Sequence, residues 1–252
     1  MNDASKAVLS KVPEVTLAFW VVKIFATTLG ETGGDAFSMS MGLGYLLSTG
    51  LFAAVFAVAV YAQIRAARFH PALYWLTIIA TTTVGTTLAD LADRSFGIGY
   101  AGGTLLLAGL LGASLLAWYR TLGTVAVATV ASPRAEMFYW LTIMFSQTLG
   151  TALGDWTADT AGLGYGGGAL VFGAMLLVIA AAYRWSRLSH TLLFWAAFVL
   201  TRPLGAVVGD LLDKPAAAGG LEFSRYGATA ALLAVIVLCL LLFPSRAAQR
   251  PH

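Results

Sequence analysis

The chain of 252 residues is 59% hydrophobic and only 11% charged, whereas about a quarter of the residues of a soluble domain are charged. That composition excludes intrinsic disorder and points to an integral membrane protein. The net charge of +3 comes with a pI near 9.1, but the basic residues form no patch-sized cluster, so nucleic-acid binding is excluded. The single cysteine, Cys239, excludes an intrachain disulfide framework and a thiolate metal cluster.

About 20 apolar residues cross a hydrocarbon core of about 30 Å. In chain order the sequence predicts spans at 14–35, 45–64, 72–92, 100–119, 137–157, 165–183, 191–211 and 226–243. Strands of outer-membrane type are absent, so the spans are helices. No small-residue cleavage site follows a short apolar core at the N-terminus, and the first span reads as retained. The fold class is therefore an all-α integral membrane protein with eight transmembrane helices.

The spans repeat. Trp20, Trp75, Trp140 and Trp195 share their register with Gly30, Gly85, Gly150 and Gly205 and with Asp35, Asp90, Asp155 and Asp210. Ten residues beyond the Asp, three units carry Gly-x-Gly-Tyr, ending at Tyr45, Tyr100 and Tyr165. The fourth lacks it, and an insertion moves its counterpart to Tyr226. The chain thus reads as one membrane domain over residues 1–252, made of four parallel helical-hairpin repeats at about 14–68, 72–120, 137–187 and 191–246. Linker 121–136 groups them in two halves. Parallel repeats imply an axis along the membrane normal.

Charge sets the orientation. Ten Lys and Arg against three acids fall on the side of the N-terminus, and three against nine on the other. By the positive-inside rule both termini are cytoplasmic in a bacterial inner (plasma) membrane.

Each unit has two carboxylates three or four residues apart at the outer end of its first helix: Glu31/Asp35, Asp90/Asp93, Asp155/Asp159 and Asp210/Asp213. Such pairs share a helical face, repel each other and oppose the macrodipole. Compensation by a bound cation, by protonation or by Arg94, Lys214 and Arg225 is expected; a merely solvated helix end is the alternative. Thr28, Thr83 and Thr148 lie two turns below the Asp and could add hydroxyl oxygens, which suit hard cations. Pro203 replaces the Thr in unit four. Two bases lie at membrane depth, Lys23 and Arg202, as gates or counter-charges. The small-x-x-x-small pairs from Gly30 to Gly209 read as helix-packing surfaces, the four Trp as interfacial anchors, and Tyr45, Tyr100 and Tyr165 as anchors or gates.

The fourfold Trp, Gly and Gly-Asp register over roughly residues 14–246 resembles a bacterial family of multi-pass membrane proteins built from four copies of a two-helix repeat of unknown function. The resemblance implies the architecture and brings no established substrate or site. With no nucleophile elbow, P-loop or His-rich metal box, an enzyme is not expected and no cofactor is implied.

The functional expectation is an ion-gradient-driven transporter or channel-like protein for a cation, with a divalent metal as one candidate. Its outward vestibule is lined by Asp35, Asp90, Asp155 and Asp210, the tentative metal ligands. The alternatives are a non-transporting scaffold or sensor for a partner protein, and an anion or organic-solute carrier using Lys23 and Arg202. The expected partners are the lipid bilayer and a small cation or proton, with homo-oligomerisation left open.

Overall fold

A computed structural model describes residues 10–248. Asp3, Lys6 and Arg250, which enter the charge count, lie outside the described residues. Eight long α-helices carry the fold: α1 (Leu17–Asp35), α2 (Gly44–Arg65), α3 (Pro71–Asp90), α4 (Tyr100–Leu122), α5 (Pro133–Asp155), α6 (Gly164–Trp185), α7 (His190–Asp213) and α8 (Arg225–Leu242). The described residues form no β-strand, only one isolated bridge. Six helices are long and apolar enough to cross a membrane; α1 and α5 are the other two.

Local chemistry places the helix starts. Thr16 caps α1 by accepting from the Phe19 N–H, and Ser132 caps α5 by accepting from Ala135. Pro71 and Pro133 open their helices, where a missing N–H costs nothing. In units one to three the odd helix does not stop at its Asp but continues for five residues as a π-turn: Ala36–Ser40, Leu91–Ser95 and Trp156–Thr160. Both acids of unit one precede the π-turn, whereas Asp93 and Asp159 lie within theirs, so in these units the acid pairs do not end the helix. Each turn leads into two left-handed glycines, as at Gly42 (φ 70) and Gly44 (φ 72), a conformation that costs glycine little. Gly-x-Gly is thus a turn signal.

The odd helices α1, α3, α5 and α7 form a closed ring, with α7 returning to α1. The even helices lie outside it, and here the expected hairpins are corrected. α2 packs on α3, α4 on α5, α6 on α7 and α8 on α1, so each even helix seats chiefly against the odd helix of the next unit. Nor is the bundle divided into halves. The linker lies across one end, where Trp195 Nε1 donates to the Val125 carbonyl (3.0 Å).

Glycines set the ring. A Cβ on Gly30 would overlap Thr82 of α3, and one on Gly150 would overlap the Arg202 side chain of α7. One on Gly205 would overlap Thr27 of α1, while one on Gly85 would stand 3.0 Å from Gln147 of α5. A second tier has Gly34 against Thr86, Gly154 against Ala206 and Gly209 against Glu31. The same two small positions of one unit thus receive the same two positions of the next, all round the ring. The small-x-x-x-small surfaces act as expected.

The interior holds many polar groups beside its aromatic core, and the exterior is apolar. Wholly buried groups include Thr27, Thr32, Thr81, Thr82, Thr86, Thr142, Ser146, Gln147 and Thr151, while Leu46, Val58, Leu105, Leu170, Leu177 and Leu241 are exposed on the outer helices.

Candidate functional site

The repeat register stacks the inner side chains in levels along the ring. At the end carrying the chain termini lie Phe19, Tyr74, Tyr139 and Phe194, all buried, with the two tyrosine hydroxyls 2.6 Å apart. Trp75, Trp140 and Trp195 are buried beside them, in edge contacts such as Trp75 with Tyr74 and Trp140 with Tyr139. These three are core residues, not interfacial anchors. The reason is steric: Trp75, Trp140 and Trp195 turn onto the preceding inner helix, against Phe19, Tyr74 and Tyr139 in turn.

The next level holds Lys23, Ile78, Ile143 and Phe198, each 0% exposed. Lys23 Nζ donates to Thr201 Oγ1 (3.2 Å) and lies 4.0 Å above the centre of the Phe198 ring. One turn on are Thr27, Thr82, Gln147 and Arg202, then Glu31, Thr86, Thr151 and Ala206. Arg202 reaches into this last level. Its Nη2 lies 2.9 Å from Glu31 Oε2, 2.6 Å from Thr86 Oγ1 and 2.5 Å from Thr151 Oγ1. Its acidic partner is Glu31.

The aspartates converge at the far end. Asp35, Asp90, Asp155 and Asp210 are all buried, at 0–4% exposure. Glu31, Asp35 and Asp210 each offer an oxygen within 4.8 Å of the other two. Three bases bridge units: Lys214 Nζ pairs with Asp35 of α1 and lies 3.0 Å from Asp210 Oδ1. Arg94 Nε lies 2.7 Å from Asp90 Oδ1, and its Nη2 lies 3.6 Å from Asp155 Oδ2. Arg225 stands 3.2 Å from Asp213 Oδ2 and 3.8 Å from Asp35 Oδ2. Unit three has no base nearby in sequence, and Arg94 of unit two supplies it. Lys214 follows the end of α7; burial draws its ammonium down, but Asp210 and Asp35 outweigh this and hold its pKa above the ordinary lysine value.

The balance is not closed. Six buried carboxylates, Glu31, Asp35, Asp90, Asp155, Asp210 and Asp213, are met by four bases, Arg94, Arg202, Lys214 and Arg225. Asp35 Oδ1 and Asp213 Oδ1 are buried without a hydrogen bond.

Other expected ligands lie elsewhere. Thr28, Thr83 and Thr148 donate to carbonyls of their own helices, at Ile24, Ile79 and Met144, and do not join the carboxylates. Asp159 is at the surface, 3.4 Å from the Tyr100 hydroxyl, and Asp93 turns towards Gly103. Thr86 and Thr151 were the residues missed. Their sharing of the Glu31 register was readable in the repeat, but only the ring shows that this register faces inward.

The sequence family described as Repeat of Unknown Function (DUF347) matches at residues 18–69, 73–124, 138–189 and 193–246. The chain belongs to this family. Its four matched segments each hold one inner and one outer helix of the ring. Comparison with curated proteins finds no match, nor does comparison with solved structures.

Proposed function

We propose that the protein is an eight-span protein of the bacterial inner membrane that moves a cation, with proton coupling, along the axis of its four repeats. The carrying observation is the excess of buried carboxylates over bases where the four Asp converge. Membrane insertion is supported by the leucine-rich outer helices around a core of threonine hydroxyls, an arrangement suited to lipid outside. Eight spans, rather than six, are supported because the polar side chains of α1 and α5 are turned onto their neighbours, with Lys23, Glu31 and Gln147 all buried. The excess of Lys and Arg on the side of the termini makes that side cytoplasmic and the acidic end outward.

Two unbalanced carboxylates suit one divalent metal ion or two protons, held by oxygen ligands. The test is flux in liposomes. Metal-dependent proton flux is expected for the wild type and its loss in Asp35→Asn/Asp90→Asn/Asp155→Asn/Asp210→Asn; flux unchanged in a folded quadruple variant would falsify the proposal.

Two lateral grooves favour a second reading, a scaffold or sensor holding a partner. One, of about 640 Å³, runs along α1 and α8 past Val21, Val22 and Leu242; the other, of about 460 Å³, lies between α1, α6 and α7 beside Leu177, Phe194 and Ala197. Co-purification of a stoichiometric partner, lost on Leu177→Asp and accompanied by no flux, would favour it. An anion carrier draws less support, since Arg202 is paired with Glu31.

A further inference from the structure

We infer that Glu31, Thr86 and Thr151 form a site for a small monovalent cation, which Arg202 occupies in this conformation as a tethered competitor; the inference rests on the cation reading above. The three oxygens come from equivalent positions of α1, α3 and α5, and each residue is at most 3% exposed. All three surround one atom, Arg202 Nη2, at 2.5–2.9 Å. An amino nitrogen of a guanidinium carries two hydrogens, so it has one more oxygen neighbour than it has protons to give. Oxygens crowded in this way are arranged around a positive charge.

The rest of the guanidinium is poorly served. Arg202 Nε and Nη1 are buried and make no hydrogen bond, whereas a site built for arginine uses its fork of donors. Arg202 also breaks the repeat, standing where units one to three have Thr27, Thr82 and Gln147. One carboxylate and two hydroxyls match a single positive charge and a hard ion.

The site adjoins the aspartates, because a Glu31 oxygen lies within 4.8 Å of Asp35 and Asp210 oxygens. A cation arriving there competes with the guanidinium for Glu31. The displaced Arg202 has a resting place at its own level: Gln147, 0% exposed, has both Oε1 and Nε2 without a partner. Exchange of one positive charge for another keeps Glu31 neutralised, and the positive charge added to the interior is offset by the carboxylates that outnumber the bases in the adjoining aspartate level.

The test follows thermal unfolding of the purified full-length protein in choline chloride and, at equal ionic strength, in lithium, sodium or potassium chloride, or with millimolar guanidinium. Arg202→Ala should melt lower than wild type in choline. One alkali cation or guanidinium should raise its midpoint beyond any wild-type response, by on the order of 5 °C at saturating concentration. The double variant Glu31→Gln/Arg202→Gln, which has no charge at the site, should lose this extra response. The inference is overturned if Arg202→Ala responds no more than wild type, if the double variant responds equally, or if Arg202→Ala folds in none of these salts while the double variant folds. Cation-dependent melting of Arg202→Ala without flux in wild-type liposomes would sink transport and leave the site. Aspartate-dependent flux with cation-independent melting would do the reverse.

Discussion

Gly30, Gly150 and Gly205 set the spacing of the inner helices, because each makes room for a side chain of the next one. Overpacking costs about 1–3 kcal/mol. We expect Gly205→Ala to destabilise the protein by at least that much, since Thr27 is itself held by hydrogen bonds to Ile24 and Thr201 carbonyls. Gly50 is in α2 with nothing within 4 Å of an added Cβ, so Gly50→Ala should leave stability unchanged or raise it by about 0.5–1 kcal/mol. Thermal unfolding in detergent compares the two; equal effects would contradict the packing assigned to Gly205. The glycine pattern was plain in the sequence. That Trp75, Trp140 and Trp195 are buried was not, because a Trp near a span end reads equally as an anchor or as core.

Elements pair in an order that chain adjacency hides. The outer helix of each unit packs on the inner helix of the next, and α8 closes the ring on α1, where Thr229 Oγ1 lies 2.9 Å from Thr32 Oγ1. In a Cys239→Ser background, Thr32→Cys/Thr229→Cys should form a disulfide under mild oxidation. Failure to cross-link, judged by gel mobility, would argue against closure through α8. The expectation of hairpins followed from short connections, which usually join neighbours. In units one to three a π-turn and two positive-φ glycines join helices that seat on different units. Unit four lacks this turn, and Lys214, four residues beyond Asp210 as Arg94 is beyond Asp90, reaches Asp35 of unit one. That ion pair was foreseen only as one of three forms of compensation, because the sequence shows which charges exist and not which ones meet.

At the scale of the molecule, the end opposite the aspartates is closed by three distant segments. Lys11 Nζ lies 2.7 Å from Glu136 Oε1 and donates to the carbonyls of Gln63 and Ile64. The Lys11 N–H donates to Val130 of the linker, and Ala248 donates to Val12. Val12, Val127 and Val130 join the aromatic core. Removing one member of a buried ion pair costs about 3–5 kcal/mol, so Lys11→Ala should lower the unfolding midpoint clearly. Arg120→Ala, on the exposed end of α4, should not, and similar losses would mean that the Lys11 pair has no special role. Because the two halves meet along two seams of one ring, α3 and α4 with α5, and α7 and α8 with α1, a chain cut at Ala131 should stay assembled in mild detergent. Separation of the pieces on size exclusion would count against the ring.

Composition and register settled the helical class, the four repeats, the turn glycines and the list of charged groups. These are local or periodic properties, carried by residues near one another in the chain. The packing partner of each outer helix, the burial of the Trp residues and the meeting of Arg202 with Glu31, Thr86 and Thr151 were decided only by the closed ring. Those contacts join residues 51 to 171 positions apart, and no spacing along a helix encodes which neighbour fills the space beside a glycine.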